Sequence, residues 1–167
     1  MLLVNEDRAL LWPGVKEIEK CNELYKLNTK NGLIKVSKAS SIFKNHKSSY
    51  IFERNLRGKC FVRTLDFLKE NNDYKAVLSY DDNLFVGGHY HAYLEKDNQT
   101  IDIASNALYD NIADKEKAFR GEIIKKLSFD EVIDSFNKVL EEVPMIDKND
   151  DKLQVLALYY GRKMGIK

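Results

Sequence analysis

The stretch from residue 58 to residue 103 constrains the fold more than any other part of the chain. After Gly58, apolar residues recur at helical spacing from Cys60 to about Lys69, and residues 71–73 then break the helix. Three strand-like segments follow, at residues 74–80, 89–95 and 100–103. A helix followed by an antiparallel meander predicts the α+β class, with the helix packed on an antiparallel β-sheet.

Turn-forming residues separate the predicted strands. The polar run 81–83 predicts a turn, and Gly87–Gly88 predicts a flexible break before the second strand. Residues 96–99 predict the hairpin turn between the second and third strands. Residues 105–115 are rich in Asn and Asp, and we expect them to form a loop at the mouth of any site on the meander.

The N-terminal part of the chain predicts a helix, a turn and a strand. Pro13 suits the first helical position, and the apolar residues after it recur at helical spacing: Val15, Ile18, Cys21, Leu24 and Tyr25. Asn31-Gly32 indicates a turn, and residues 33–36 follow as a short strand. We expect residues 1–12 to form a short strand or an arm packed on the core, and residues 37–49 to form a short helix or loop.

Two further helices are predicted towards the C-terminus. Ser128 followed by Glu131 matches a capping box, which marks the start of a helix that Pro144 ends. Apolar residues from Leu153 to Met164 recur at helical spacing and indicate the last helix. No repeat or shift in composition divides the chain, so we expect one domain over residues 1–167.

The composition argues against several classes of protein. The 167 residues are 44% hydrophobic, which suffices for one packed core, and the net charge of +1 gives no reason to expect nucleic acid as a partner. No segment approaches the roughly 20 apolar residues of a membrane helix. The apolar run at residues 2–4 is short and precedes acidic residues, unlike a signal peptide. We therefore expect a cytoplasmic protein without a membrane partner.

The helix and the meander contain the groups of an activated cysteine nucleophile. A thiol becomes a strong nucleophile as a thiolate, which a helix N-terminus, cationic neighbours or an imidazolium favours. Cys60 has the first two in the sequence, because it starts the predicted helix and has basic residues on both sides. His89 or His91 could supply the imidazole, and Asp102 on the returning strand could hold its outer ring nitrogen.

Other roles for the cysteines and histidines have less support. Cys21 lies on the predicted apolar stripe and is expected to be a small buried core residue, with both thiols free in a reducing compartment. His46 lies among polar and basic residues and is expected at the surface. His89, His91 and Asp102 would form only a weak metal set, because no further histidine or cysteine pair supports it. We expect no metal and no cofactor.

The segment His91-Ala92-Tyr93-Leu94-Glu95 resembles the histidine strand of the transglutaminase-like branch of the papain-like cysteine peptidases. Members of that branch place the nucleophile at a helix N-terminus and an Asp on the strand after the histidine. Cys60 and Asp102 match these two positions. The sequence departs from the branch at Tyr93, where many members have Trp, and at Ile103, where many have Pro.

This resemblance covers roughly residues 50–110 and implies a papain-like core with Cys60, His91 and Asp102 as catalytic residues. Arg63, three residues after the cysteine, extends the likeness to small bacterial peptidases that remove leader peptides during lasso-peptide maturation. The implied function is cysteine-dependent acyl transfer by a peptidase or amidase acting on a peptide or protein. Transfer to an amine, as in transglutaminases, and an accessory protein that delivers the substrate both stay open.

Two further points stay open in the sequence. The backbone N–H of Cys60 would stabilise an oxyanion, and the side chain of Asn55 is a second candidate donor. The alternative function is a non-catalytic peptide- or protein-binding module on the same fold. Its binding surface would combine the basic residues of the segment 54–63 with the loop after Asp102.

Overall fold

The computed structural model describes residues 15–21, 24–29, 31–52, 58–83, 87–118 and 121–166. Within these ranges the chain belongs to the α+β class, with eight strands in one antiparallel sheet and five α-helices. The strands are β1 (Val15–Cys21), β2 (Leu24–Thr29), β3 (Gly32–Lys38), β4 (Lys75–Asn83), β5 (Gly87–Lys96), β6 (Gln99–Asp102), β7 (Ala107–Tyr109) and β8 (Gly121–Leu127). The α-helices are α1 (Ala39–Phe43), α2 (Cys60–Glu70), α3 (Ile112–Ala118), α4 (Phe129–Glu142) and α5 (Lys152–Lys163), and a 3₁₀-helix spans Ser49–Phe52. None of these described helices combines the length and the apolar composition that a membrane-crossing segment needs.

The strand order in the sheet is β1-β2-β3-β7-β6-β5-β4-β8. Strands β4, β5 and β6 follow one another in the chain and pair antiparallel in the sheet, as the predicted meander requires. The hairpin turn between β5 and β6 contains Asp97 in the left-handed region, at a φ of 53°. The predicted α+β class, the meander and the helix start at Cys60 are therefore confirmed.

The two faces of the sheet pack against different helices. The larger apolar cluster joins the sheet to α2, α4 and α5, and its buried members include Phe67, Leu78, Ala92, Leu94, Phe136 and Leu156. The smaller cluster joins β2, β3 and β7 to Ala118 of α3. Because side chains alternate along a strand, His91 and Tyr93 lie on the opposite face from Ala92. The candidate catalytic histidine is therefore outside the larger cluster.

The helix predicted after Pro13 is wrong, because residues 15–21 form β1 and residues 24–25 begin β2. These two strands pair antiparallel, with Cys21 opposite Leu24. In β2, Tyr25 and Leu27 are buried and alternate with less buried neighbours, as a strand requires. The apolar spacing fits a helix locally, but pairing of β2 with β3 decides the structure. The turn at residues 31–32, the strand at 33–36 and a short helix within 37–49 are confirmed.

Three predicted interruptions around the meander are also wrong. Strand β4 continues through residues 81–83, and β5 begins at Gly87, which pairs with Asn83. The expected loop at residues 105–115 instead contains the buried strand β7 and the beginning of α3. Strand β7 pairs with β3 and β6, and its link to β3 joins residues far apart in the chain. Local composition carries no information about such long-range pairing.

Further differences concern segments outside the meander. Strand β8, which pairs with β4, has no counterpart in the sequence prediction. His46 is partly buried, contrary to expectation: its ring centroid lies 5.4 Å from that of Phe43, and its Nδ1 accepts a hydrogen bond from the Ser48 N–H at 3.1 Å. The predictions for residues 1–12, for Pro13 and for the side chain of Cys21 lie outside the described part of the chain.

The predicted capping box at the start of α4 is present. The Glu131 N–H donates to the hydroxyl of Ser128 at 3.2 Å, and the Ser128 N–H donates to the carboxylate of Glu131 at 2.7 Å. Pro144 follows the last residues of α4, so the predicted end of this helix is confirmed. The last predicted helix is confirmed as α5.

Removing this cap is expected to destabilise the protein modestly. Ser128→Ala leaves the N–H of Glu131 without its hydroxyl acceptor and should lower the free energy of unfolding by about 1 kcal/mol. Urea unfolding followed by circular dichroism measures this change. Ser135→Ala, inside the same helix, is the matched control and should cause no loss. Equal losses in the two variants would contradict the capping role.

Candidate active site

Three elements that are close in space carry the predicted catalytic residues. Cys60 is the first residue of α2, His91 lies in the middle of β5, and Asp102 is the last residue of β6. One turn into α2, the hydroxyl of Thr64 donates to the backbone carbonyl of Ala92 at 3.3 Å. This hydrogen bond connects the first turn of α2 to the strand residue next to His91.

His91 and Asp102 form a buried pair. The Nε2 of His91 lies 2.7 Å from Oδ2 of Asp102, and Nε2–H is the donor because a carboxylate only accepts. His91 is 8% exposed and Asp102 is 2% exposed. The other carboxylate oxygen accepts from the backbone N–H of Ser105 at 3.3 Å, in the turn after β6. Asp102 is thus held from two sides, which orients the histidine ring.

The charges of this pair stabilise its ionised form. Burial lowers the pKa of His91, but the charge and hydrogen bond of Asp102, together with Cys60, outweigh burial and raise that pKa above its usual range. Burial raises the pKa of Asp102, but the charge and hydrogen bond of His91, with help from Lys115, hold it below its usual range. An imidazolium paired with a carboxylate is therefore the stable form at neutral pH.

Cys60 lies beside this pair at a helix start. Its thiol is free and partly buried, and it is near enough to His91 to raise the pKa of the imidazole through hydrogen bonding and charge. Because Asp102 holds Nε2, the ring nitrogen left for the thiol is Nδ1. Lys59 precedes the helix and its side chain makes no cap, and the first backbone N–H groups of a helix have no partner within the helix itself. Gly58 makes the left-handed turn into the helix, at a φ of 74°.

Two residues to which the sequence prediction gave no role of their own support the pair: Tyr93, named there only within the resemblance, and Lys115. The ring of Tyr93 stacks on His91, with centroids 6.2 Å apart. The buried Lys115 of α3 places its Nζ 4.0 Å from the centre of the Tyr93 ring, a cation–π contact. The alternation along β5 places Tyr93 on the same face as His91, two residues away. Lys115 lies in a segment predicted to be a loop, and no sequence signal points to it.

His89 lies next to the pair without belonging to it. Its ring centroid is 5.8 Å from that of His91, whereas the hydrogen bond of Asp102 goes to His91. This geometry favours His91 as the partner of the thiol and the carboxylate. The metal set considered from the sequence also changes, because Asp81 rather than Asp102 has a ligand atom within 4.8 Å of ligand atoms of both histidines.

The structure describes two of the basic residues near Cys60, Lys59 and Arg63. Arg63 forms an ion pair with Asp66 at 3.2 Å on the same helix. Lys59 is exposed. Arg54, Arg57 and the candidate oxyanion donor Asn55 lie outside the described residues. Among the described groups near the thiol, His91 therefore remains the cation with evidence for a direct interaction.

A cavity of about 350 Å³ lies on the same face of the sheet, with Tyr93 and Lys115 in its walls. Glu95 and Lys126 also line this cavity and neutralise each other in an ion pair of 2.9 Å. Since Tyr93 contacts both the cavity and His91, a group bound here would lie next to the pair. The volume falls at the small end of the roughly 300–1,000 Å³ typical of ligand pockets.

The arrangement provides a thiol, an oriented imidazole and backbone donors at a helix start. These groups are the requirements for nucleophilic attack on a carbonyl carbon and for proton transfer to a leaving group. No family model, curated protein or solved structure matches this chain. The function of the site is therefore inferred from its geometry and chemistry, together with the resemblance of residues 91–95.

Proposed function

We propose that this protein is a cysteine-dependent acyl-transfer enzyme of the transglutaminase-like, papain-like type. Its substrate is a peptide or protein, and its reaction is cleavage of a peptide or amide bond. The catalytic residues are Cys60, His91 and Asp102. The observation that carries the proposal is the buried His91–Asp102 pair, whose imidazole interacts with a free thiol at a helix start.

The first half of the reaction forms a thioester. The thiolate of Cys60 attacks the substrate carbonyl carbon, and the developing oxyanion accepts hydrogen bonds from backbone N–H groups at the start of α2. The C–N bond then breaks, and His91 gives its proton to the departing amine. Asp102 keeps the ring oriented and stabilises its protonated form.

The second half releases the acyl group. Neutral His91 takes a proton from a water molecule, which attacks the thioester carbonyl. Collapse of this intermediate breaks the C–S bond, returns the thiolate of Cys60 and leaves His91 protonated for the next cycle. An amine in place of water would give transglutaminase-like transfer. The buried hydrogen bond between His91 and Asp102, together with the influence of Cys60 on the pKa of His91, favours catalysis over the alternative of a non-catalytic binding module, which requires neither.

Selective labelling by an electrophilic peptide probe tests the proposed function. The protein is incubated with a peptide vinyl sulfone, and tryptic mass spectrometry compares adducts on Cys60 and Cys21. We expect the adduct on Cys60, at a rate at least about tenfold above that of an unactivated thiol, because the thiolate is the reacting form. Denatured protein, in which both thiols are ordinary, provides the reference rate. Equal rates for Cys60 in native and denatured protein would refute the proposal.

A further inference from the structure

A group of potential metal ligands, Asp81, His89 and His91, lies on one face of the sheet. Asp81 of β4 pairs directly across the ladder with His89 of β5, and Ser79 pairs with His91. The side chains of Asp81, His89 and His91 share one face because they are two residues apart along their strands. One ligand atom from each of the three lies within 4.8 Å of those of the other two. The proposed acyl transfer uses neither Asp81 nor His89.

The polar groups of Asp81 and His89 are incompletely paired. Asp81 is 1% exposed, and its Oδ1 accepts a hydrogen bond from the hydroxyl of Ser79 at 2.7 Å. Within the described residues, no cation forms an ion pair with this buried carboxylate. The Nδ1 of His89 is buried and has no hydrogen-bond partner among the described residues. A buried carboxylate without a counter-charge and a buried ring nitrogen without a hydrogen-bond partner are both costly, and one bound cation would satisfy both.

The neighbouring strand leaves room for the carboxylate. Gly121 of β8 pairs with Asp81, and a Cβ at this position would collide with Oδ1 of Asp81. A larger residue here would push the carboxylate away from the histidines. Gly121 therefore permits the position in which Asp81 faces the two imidazoles.

We propose that Asp81, His89 and His91 bind a divalent first-row transition metal ion, with Zn²⁺ as the best match. Two imidazole nitrogens and one carboxylate oxygen form a donor set that suits Zn²⁺ and its neighbours, whereas Mg²⁺ and Ca²⁺ prefer oxygen ligands. Metal-bound histidines typically donate their other ring N–H to a carboxylate. Asp102 accepts such a hydrogen bond from His91, which leaves Nδ1 of His91 for the ion.

The metal site and the proposed catalytic site share one imidazole, so they exclude each other. An ion that binds Nδ1 of His91 displaces the proton of the imidazolium into solvent, and it takes the nitrogen that would exchange a proton with Cys60. Metal binding therefore switches off acyl transfer, and removal of the ion restores it. The binding of the ion stands independently, whereas this inhibition rests on the proposed function.

Calorimetric titration with Zn²⁺ tests the binding site directly. The parent protein carries Cys60→Ala, so that the thiol cannot contribute a ligand. We expect one Zn²⁺ per chain, with affinity at least about tenfold weaker in His89→Ala and in Asp81→Asn, since loss of a supporting partner alone costs that much. His46→Gln, which removes a histidine outside the cluster, should leave the affinity unchanged, and Mg²⁺ should give no binding heat. Circular dichroism verifies folding, and Asp81→Asn serves as the isosteric variant if His89→Ala unfolds.

Two results would overturn the metal site. One is the absence of Zn²⁺ binding by the Cys60→Ala parent, and the other is unchanged affinity in the folded His89→Ala or Asp81→Asn variants. The inhibitory role is measured separately, as the labelling rate of Cys60 with and without Zn²⁺ in protein that retains the thiol. Binding without slower labelling would overturn the inhibition alone. Absence of selective labelling in metal-free protein would instead overturn the proposed function.

Discussion

Cys60→Ala is expected to abolish cleavage of peptide substrates, a fall on the order of 10³-fold or more. In enzymes that form a covalent intermediate, removal of the nucleophile leaves only the contribution of binding and oxyanion stabilisation. The substituted side chain is small and only partly buried, so the fold should be retained. Cleavage is measured by mass spectrometry on any peptide that the unmodified protein processes. Cys21→Ala is the matched control, and it should keep both cleavage and labelling of Cys60.

The variant His91→Ala tests whether the thiol of Cys60 acts together with His91 in cleavage. His91→Ala should lose nearly as much activity as Cys60→Ala, and the double variant should lose little more, because the two residues act as a unit. Replacement of His46, which lies against Phe43 and Phe67, should have no comparable effect on cleavage. Retained cleavage in Cys60→Ala would show that the proposed pair is wrong. The same conclusion would follow if the fold-loss of activity in the double variant equalled the product of the two single fold-losses.

Asp102→Ala is expected to lower the free energy of unfolding by about 3–5 kcal/mol, the cost of breaking a buried ion pair from one side. The substitution removes the partner of His91 and leaves the imidazole buried without its acceptor. It also removes the acceptor for the Ser105 N–H in the turn after β6. Urea unfolding measures the loss, and the labelling rate of Cys60 should fall with it.

Two further variants test whether the loss of stability comes from breaking the buried His91–Asp102 pair rather than from removing any carboxylate. Asp102→Asn keeps the size of the side chain and one acceptor oxygen, so it should cost less stability than Asp102→Ala while still slowing the labelling. Asp110→Ala removes an exposed carboxylate that accepts from Gln99 at 3.2 Å, and it should change stability by less than about 1 kcal/mol. A similar small change in Asp102→Ala would rule out a stabilising role for the pair.

The features that the sequence predicts correctly depend on neighbours in the chain. The capping box of Ser128 and Glu131 lies within one helical turn, and the hairpin of β5 and β6 joins strands separated by a short turn. Cys60 lies in one helix, and His91 and Asp102 lie in two adjacent strands. The relative placement of these three residues can therefore be predicted from local sequence patterns once the meander is recognised.

The features that the sequence does not predict depend on distant pairing. Residues 15–25 have apolar spacing that fits a helix, but β2 gains its hydrogen bonds from β3 and alternates accordingly. Asp81 was expected in a turn, yet β4 extends through it between β5 and β8. Lys115 was expected in a loop, yet α3 brings it over Tyr93. Both residues enter the neighbourhood of His91 only through tertiary structure.

The order of strands also determines how the sheet meets other molecules. Strands β1 and β8 are the outermost of the described strands, and an exposed edge can pair with a strand from another copy. In β1 four of seven residues are charged, at positions 16, 17, 19 and 20. In β8 the charged residues are Glu122, Lys125 and Lys126. Charged residues in both outermost strands oppose the addition of a foreign strand, so these strands are protected against edge-to-edge aggregation.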